Sequence, residues 1–345
     1  MKYNSLGDTG LKVSELCLGA MTFGSAFHNI GQVGQKLADR MVARSLDAGV
    51  NFFDTADVYS RGQAEEILGR ALDVSDAPRD KYVLATKVRG AMSDAAMEGT
   101  GDVNNVGLSR KHIVAGCERS LRRLGTDYID LYQIHGFDPA TRWAEIMRAM
   151  DDLVRAGKVR YVGCSNLAVR HILRANGMAE RHGWSPFVSL QAYYSLVGRD
   201  LETELLPLCR EEGMGVMVWS PLAGGFLTGK FRREGEDGPE GARRSSFDFP
   251  PVDKETGYDT VEVLDVLARD KGTTIPRLAL GWLLARKGVS SVIVGAKTMD
   301  QLEDDLGAVD VSFSEEELER LDEVTPPPEP YPQWMIRFQG QRTQR

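Results

Sequence analysis

The sequence predicts a (β/α)8 TIM barrel, and three observations carry that prediction. Short apolar runs alternate with longer amphipathic ones, eight of each can be marked, and ionisable residues stand at the ends of the apolar runs. With 345 residues, 42% of them hydrophobic and 27% charged, the chain has the length for one such barrel or for two medium domains.

Ahead of the barrel, KYNSL and LKVSEL flank GDTG and read as a short β-hairpin closing its bottom. The first barrel strand is ELCLGA (15–20), followed by a helix over about 35–48. NFFDTA (51–56) leads to a helix over 63–72, YVLATK (82–87) to one over 110–124, and IDLYQIH (129–135) to one over 143–155. VRYVGCS (159–165) is followed by 168–181, FVSLQA (187–192) by 202–212, GVMVWS (215–220) by 261–271 and SVIVGA (291–296) by 299–308. An open doubly wound sheet would also alternate. It would carry its nucleotide on a glycine turn after an early strand, and no GxGxxG stands between a strand and a helix here.

Two connections are long, 88–108 after the third barrel strand and about 221–260 after the seventh. Both follow strands, so both fall on the C-terminal face, where barrels bind ligands. Residues 1–325 are read as a single catalytic domain. The tail, 326–345, is proline-rich, then aromatic and basic, and is expected either to be disordered or to fold over the active face.

The net charge of −8 comes from 50 acidic and 42 basic residues mixed along the chain, so no basic stripe offers itself to nucleic acid. No run approaches the roughly 18 apolar residues of a membrane span, and the amino terminus lacks the apolar core of a secretory signal; the expectation is a cytoplasmic protein. Cys17, Cys117, Cys164 and Cys209 form no CxxC pair and read as buried reduced thiols. The histidines do not fall at metal-ligand spacing, and no metal is expected.

Asp54 ends the second barrel strand and leads to Tyr59, Lys87 ends the third, and His135 ends the fourth. Side chains at strand C-termini point into the mouth of a barrel. Taken singly, each has a structural explanation: a helix-capping Asp, a surface Tyr or Lys, a core His. Together they place a carboxylate, a phenol, an ammonium and an imidazole at one mouth. A phenol of pKa about 10 is a poor acid at neutral pH, and a nearby ammonium lowers that value. Asp54 can hold Lys87 charged, and His135 can hydrogen-bond the oxygen that gains or loses the proton. Such a set suits protonation of an alkoxide formed from a carbonyl. It supplies no hydride, so a nicotinamide is required.

GLKVSELCLGAMTFG, FFDTADVYSRGQAEEILGRAL, LATK, LYQIH, VGCSN, SLQAYYSL, WSPLAGGFLTGK and VIVGAKTMDQLEDDLGA resemble the aldo-keto reductases along nearly the whole chain. The resemblance is greatest to the larger bacterial branch related to aryl-alcohol dehydrogenases and potassium-channel β subunits. It implies an NADP(H)-dependent oxidoreductase acting on aldehydes, ketones or alcohols. Tyr59 would be the general acid, Lys87 and Asp54 would tune it, and His135 would position the carbonyl.

The resemblance also implies a cofactor cradle. Gly19, Ala20 and Met21 would lie along the nicotinamide, with Asp54 near it and Ser165, Asn166 and Gln191 fixing its carboxamide. Trp219, Ser220, Pro221, Leu222, Gly224, Leu227, Lys230 and Arg243 would follow the pyrophosphate. Gly295, Lys297, Thr298, Gln301, Asp304 and Asp305 would hold the adenosine end. Lys297, at the start of the last helix, suits a 2′-phosphate and favours NADPH. Asp305 departs from the Asn usual in the family, and with Asp304 it would repel that phosphate.

Two rival functions follow. An NADP(H)-binding redox sensor of the channel β-subunit type would act through a partner, and a barrel glycosidase would need a second carboxylate beside Asp54. GGFLTGKF (224–231) nearly spells a P-loop, but Phe231 replaces the hydroxyl that binds magnesium. The expected partner is a small carbonyl or alcohol; a monomer and a homo-oligomer both fit.

Overall fold

The computed structural model describes residues 1–25, 30, 32–233, 244 and 247–343. Its frame is a closed barrel of eight parallel strands. The strands are β3 (Leu16–Gly19), β4 (Phe52–Asp54), β5 (Val83–Val88), β6 (Ile129–Ile134), β7 (Val159–Ser165), β8 (Phe187–Tyr193), β9 (Gly215–Trp219) and β10 (Val289–Val294), with β10 pairing back to β3. The antiparallel hairpin β1 (Tyr3–Ser5) and β2 (Lys12–Ser14) precedes it. Leu6 and Val13 of the hairpin are wholly buried with Cys17, Phe52, Val83, Ala85, Leu131 and Met217, so the hairpin plugs the end of the barrel away from the strand C-termini.

The outer layer is α1 (Gln35–Asp47), α2 (Gln63–Val74), α4 (Arg110–Leu124), α5 (Trp143–Arg155), α6 (Val169–His182), α7 (Leu205–Glu211), α8 (Lys254–Lys271), α9 (Ile275–Leu284) and α10 (Met299–Leu306). The short α3 (Asp94–Glu98) interrupts the first long loop, and α11 (Glu315–Val324) and α12 (Gln333–Thr343) end the chain. Every expected strand and helix is present.

Besides α3, which falls inside the 88–108 connection, four features differ from the sequence reading. Helix α8 starts at Lys254, where Asp253 accepts the Thr256 N–H at 2.9 Å, and not at Val261. Helix α9 was not anticipated: RLALGWLL is apolar around most of its circumference, so it lacks the one-sided periodicity that marks a helix in sequence. Its signals were the Thr274 cap and Pro276 in the first turn. Helix α11 falls in a stretch for which no element was expected; its sign was the Ser314 and Glu317 capping box. The tail forms α12, tied to the barrel by Gln333 Nε2 donating to Glu204 Oε1 at 3.1 Å, with Trp334 and Phe338 on the surface.

All four cysteines are buried and free. Among the described residues no helix is long and apolar enough to cross a membrane.

Candidate active site

The strand ends bring the four expected groups together. Lys87, wholly buried at the end of β5, donates from Nζ to Asp54 Oδ2 at 2.5 Å, to the Thr55 carbonyl at 2.8 Å and to Tyr59 Oη at 3.4 Å. Its three protons thus have three acceptors. Burial alone would lower the Lys87 pKa, but Asp54 and then Tyr59 outweigh it and the value is raised. The ammonium therefore stays charged beside the phenol.

Asp54 is equally confined. Its Oδ1 accepts from Gln191 Nε2 at 2.8 Å and from Gln133 Nε2 at 3.1 Å, which leaves the carboxylate fully engaged as a holder of Lys87. Gln133 was not among the expected site residues. Its signal lay in IDLYQIH: it stands two positions before His135, on the same inward face of β6.

Tyr59 is placed by the turn after β4, where Asp57 N–H donates to the Lys87 carbonyl at 3.1 Å and Tyr59 N–H to the Ala56 carbonyl at 3.2 Å. The Tyr59 and His135 rings meet edge-on, centroids 5.7 Å apart at 78°. Burial first, then Lys87 and Arg89, push the His135 pKa down to about 3. Its imidazole is therefore neutral at physiological pH, one nitrogen a donor and the other an acceptor.

These groups open into a cavity of about 380 Å³ lined by Gly19, Met21, Asp54, Tyr59, His135, Ser165, Asn166, Gln191, Trp219, Ser220, Pro221 and Gly295, all expected, together with Ile30, Phe247, Phe249 and Ile293, which were not. Ser165 donates to the Gln191 carbonyl at 2.9 Å, and Asn166, at φ 55°, spans Ser165 Oγ and the His135 carbonyl while accepting from Trp219 Nε1 at 3.1 Å. Trp219 and Phe249 stack at 5.7 Å and 11°, so part of the cavity wall is aromatic.

The other residues expected to hold the cofactor are not among those that line this cavity. Lys87 stands behind it, Ala20 and Leu227 are wholly buried in the core, and Leu222 packs against the core. Gly224 takes φ +66° and Gly225 φ +92°, a turn that presents main chain, and Gly224 N–H donates to Ser220 Oγ at 3.0 Å. Lys230 Nζ lies beside Gly225, with no carboxylate within ion-pair distance among the described residues, and burial lowers its pKa. An anion at this turn would relieve that cost, so the site fits a pyrophosphate. Arg243 lies outside the described residues.

At the far end, Thr298 caps α10 and Gln301 Oε1 accepts the Lys297 N–H at 2.8 Å, while Lys297 Nζ donates to Gln32 Oε1 at 3.3 Å. Asp304 and Asp305, from which repulsion is expected, are respectively ion-paired and buried. Asp304 pairs with Arg277 at 2.9 Å and accepts from Thr274 Oγ1. Burial, and then Asp304, push the Asp305 pKa up to about 8, so the neutral acid predominates at pH 7. Between pH 4 and 8 the unfolded chain would lose this proton while the folded chain keeps it, so stability falls as pH rises. Asp305→Asn is accordingly expected to melt several degrees above the parent at pH 8 and level with it at pH 4; equal differences at both pH values would contradict the burial of this carboxyl.

The Aldo/keto reductase family model matches residues 15–326. The chain belongs to the aldo/keto reductase family. It is 39% identical over 332 residues to the uncharacterized oxidoreductase YrpG of Bacillus subtilis, covering 95% of this chain and 97% of that one. It is 35% identical to the versiconal hemiacetal acetate reductase of Aspergillus parasiticus, covering 94% and 96% respectively. A Schizosaccharomyces pombe protein whose name assigns it provisionally to the aryl-alcohol dehydrogenases is 36% identical, covering 93% and 95%. As an aldo/keto reductase, the protein is an oxidoreductase.

Proposed function

We propose that this aldo/keto reductase is a cytoplasmic, NADPH-dependent enzyme that interconverts an aldehyde or ketone and its alcohol, with Tyr59 as the general acid. One observation carries the reading: a buried, charged Lys87 donates to Tyr59 Oη at the floor of a largely apolar cavity. The ammonium favours the phenolate, so the phenol gives its proton more readily to an oxygen gaining negative charge. Asp54 holds Lys87 in place. Neutral His135 donates a hydrogen bond to the substrate oxygen and orients it toward the phenol.

The bound dihydronicotinamide would supply the hydride. Ser165, Asn166 and Gln191 would hold its carboxamide, Lys230 and the Gly224–Gly225 turn its pyrophosphate, and Lys297 the 2′-phosphate. The aromatic wall of Trp219, Phe247 and Phe249 favours apolar or aromatic carbonyl compounds, in keeping with the aryl-alcohol dehydrogenase name of one relative.

The test is a panel of aromatic and aliphatic aldehydes, ketones and alcohols, followed at the nicotinamide absorbance band with each cofactor, using the parent and Lys297→Ala. Turnover with NADPH supports the proposal, and the variant should weaken NADPH binding roughly 10-fold or more while NADH binding barely changes. Tight NADPH binding without turnover would replace this reading with the redox-sensor one. Equal weakening of both cofactors would remove Lys297 as the phosphate contact.

A further inference from the structure

The residue after Tyr59 sits in a conformation its own side chain resists. Ser60 has φ 46° and ψ 35°, Arg61 φ 54° and ψ 42°, and Gly62 follows at φ +93°. Glycine relieves the crowding between Cβ and carbonyl in this left-handed region, and Gly62 uses that freedom. Ser60 does not have it, so something must hold the turn in place.

The structure supplies the restraint. Ser60 is buried, and its Oγ donates to the Phe23 carbonyl at 3.1 Å. Phe23 lies directly after the turn that gives Gly19 and Met21 to the cavity wall. The approach is close enough that a Cβ on Gly24 would lie 2.6 Å from Ser60 Oγ, so Gly24 is the residue that lets the hydroxyl reach. On the other side of the turn, Gly62 packs on the Arg123 side chain, which Glu65 holds at 2.5 Å. The turn is thus fixed from both sides, with Tyr59 at its start.

We propose that Ser60 is a positioning residue: its hydroxyl ties the strained turn carrying Tyr59 to the loop after β3, and so holds the phenol at the distance from Lys87 and the cavity that proton transfer needs. This inference rests on Tyr59 being the proton donor. It assigns Ser60 no contact with substrate or cofactor.

The strain makes positioning separable from stability. Ser60→Gly removes the hydroxyl but relaxes the backbone, whereas Ser60→Ala removes the hydroxyl and keeps the strain. Both variants are expected to lose roughly 10- to 100-fold in kcat, the scale for a misplaced reacting group, with NADPH affinity by tryptophan fluorescence titration unchanged. Ser60→Gly should melt at or above the parent temperature and Ser60→Ala below it. Parent-like kcat in either variant, or a fall of kcat and melting temperature together in Ser60→Gly, would overturn the inference. Tyr59→Phe, run alongside, separates the two levels: if it is inactive while the Ser60 variants turn over normally, only the role of Ser60 fails. If it is itself active, the general-acid reading fails with it.

Discussion

Tyr59→Phe is expected to lower turnover by roughly 10²- to 10⁴-fold, the usual contribution of a positioned acid. The substitution keeps the ring and removes only the hydroxyl. The ring is buried, lies edge-on to His135 and has Lys87 Nζ 5.0 Å from its centroid; a phenylalanine ring keeps all three relations. Lys87 loses only its most distant acceptor, at 3.4 Å, and retains Asp54 and the Thr55 carbonyl. The melting temperature and NADPH affinity should therefore match the parent, and the loss should appear in kcat. His135 cannot substitute as the acid: with its pKa pushed down to about 3, it carries no transferable extra proton at neutral pH. Turnover within a few-fold of the parent would exclude the phenol as proton donor.

The tetrad was legible in sequence because barrel geometry maps strand ends onto one mouth, whatever their separation along the chain. Asp54, Tyr59, Lys87 and His135 needed only the strand boundaries to be right within a residue or two. Gln133 required more, namely the alternation within β6, where a polar residue two before His135 must share its inward face.

Phe247 and Phe249 could not be read in this way. They come from the connection between β9 and α8, and their place in the wall depends on tertiary contacts such as Arg244 Nη1 donating to the Ala223 and Pro250 carbonyls. The charge state of Asp304 and Asp305 is beyond the reach of the sequence for a related reason. Asp304 is paired with Arg277 on α9, the helix whose all-round apolarity hid it, and the Asp305 pKa follows from burial, which sequence position does not give. Local chemistry was thus visible, while charge state and loop placement depended on distant partners.

Lys87→Met should be the most destabilising single change at the site. The side chains have similar length, so packing survives, but the Asp54 carboxylate, 2% exposed, loses its counter-charge. Breaking a buried pair from one side costs about 3–5 kcal/mol, because the partner is left desolvated and unpaired. Gln133 and Gln191 still donate to Oδ1, which restrains the loss toward the lower end of that range. Turnover should fall as well, since nothing then favours the phenolate.

The double variant Asp54→Asn with Lys87→Met separates the two effects. With neither charge present, no uncompensated ion remains, so most of the stability should return while turnover stays low. Urea unfolding of the parent, the single variant and the double variant measures this directly. A single variant as stable as the parent would mean that the Asp54–Lys87 pair does not carry a buried charge, and the electrostatic basis proposed for proton donation by Tyr59 would fall with it.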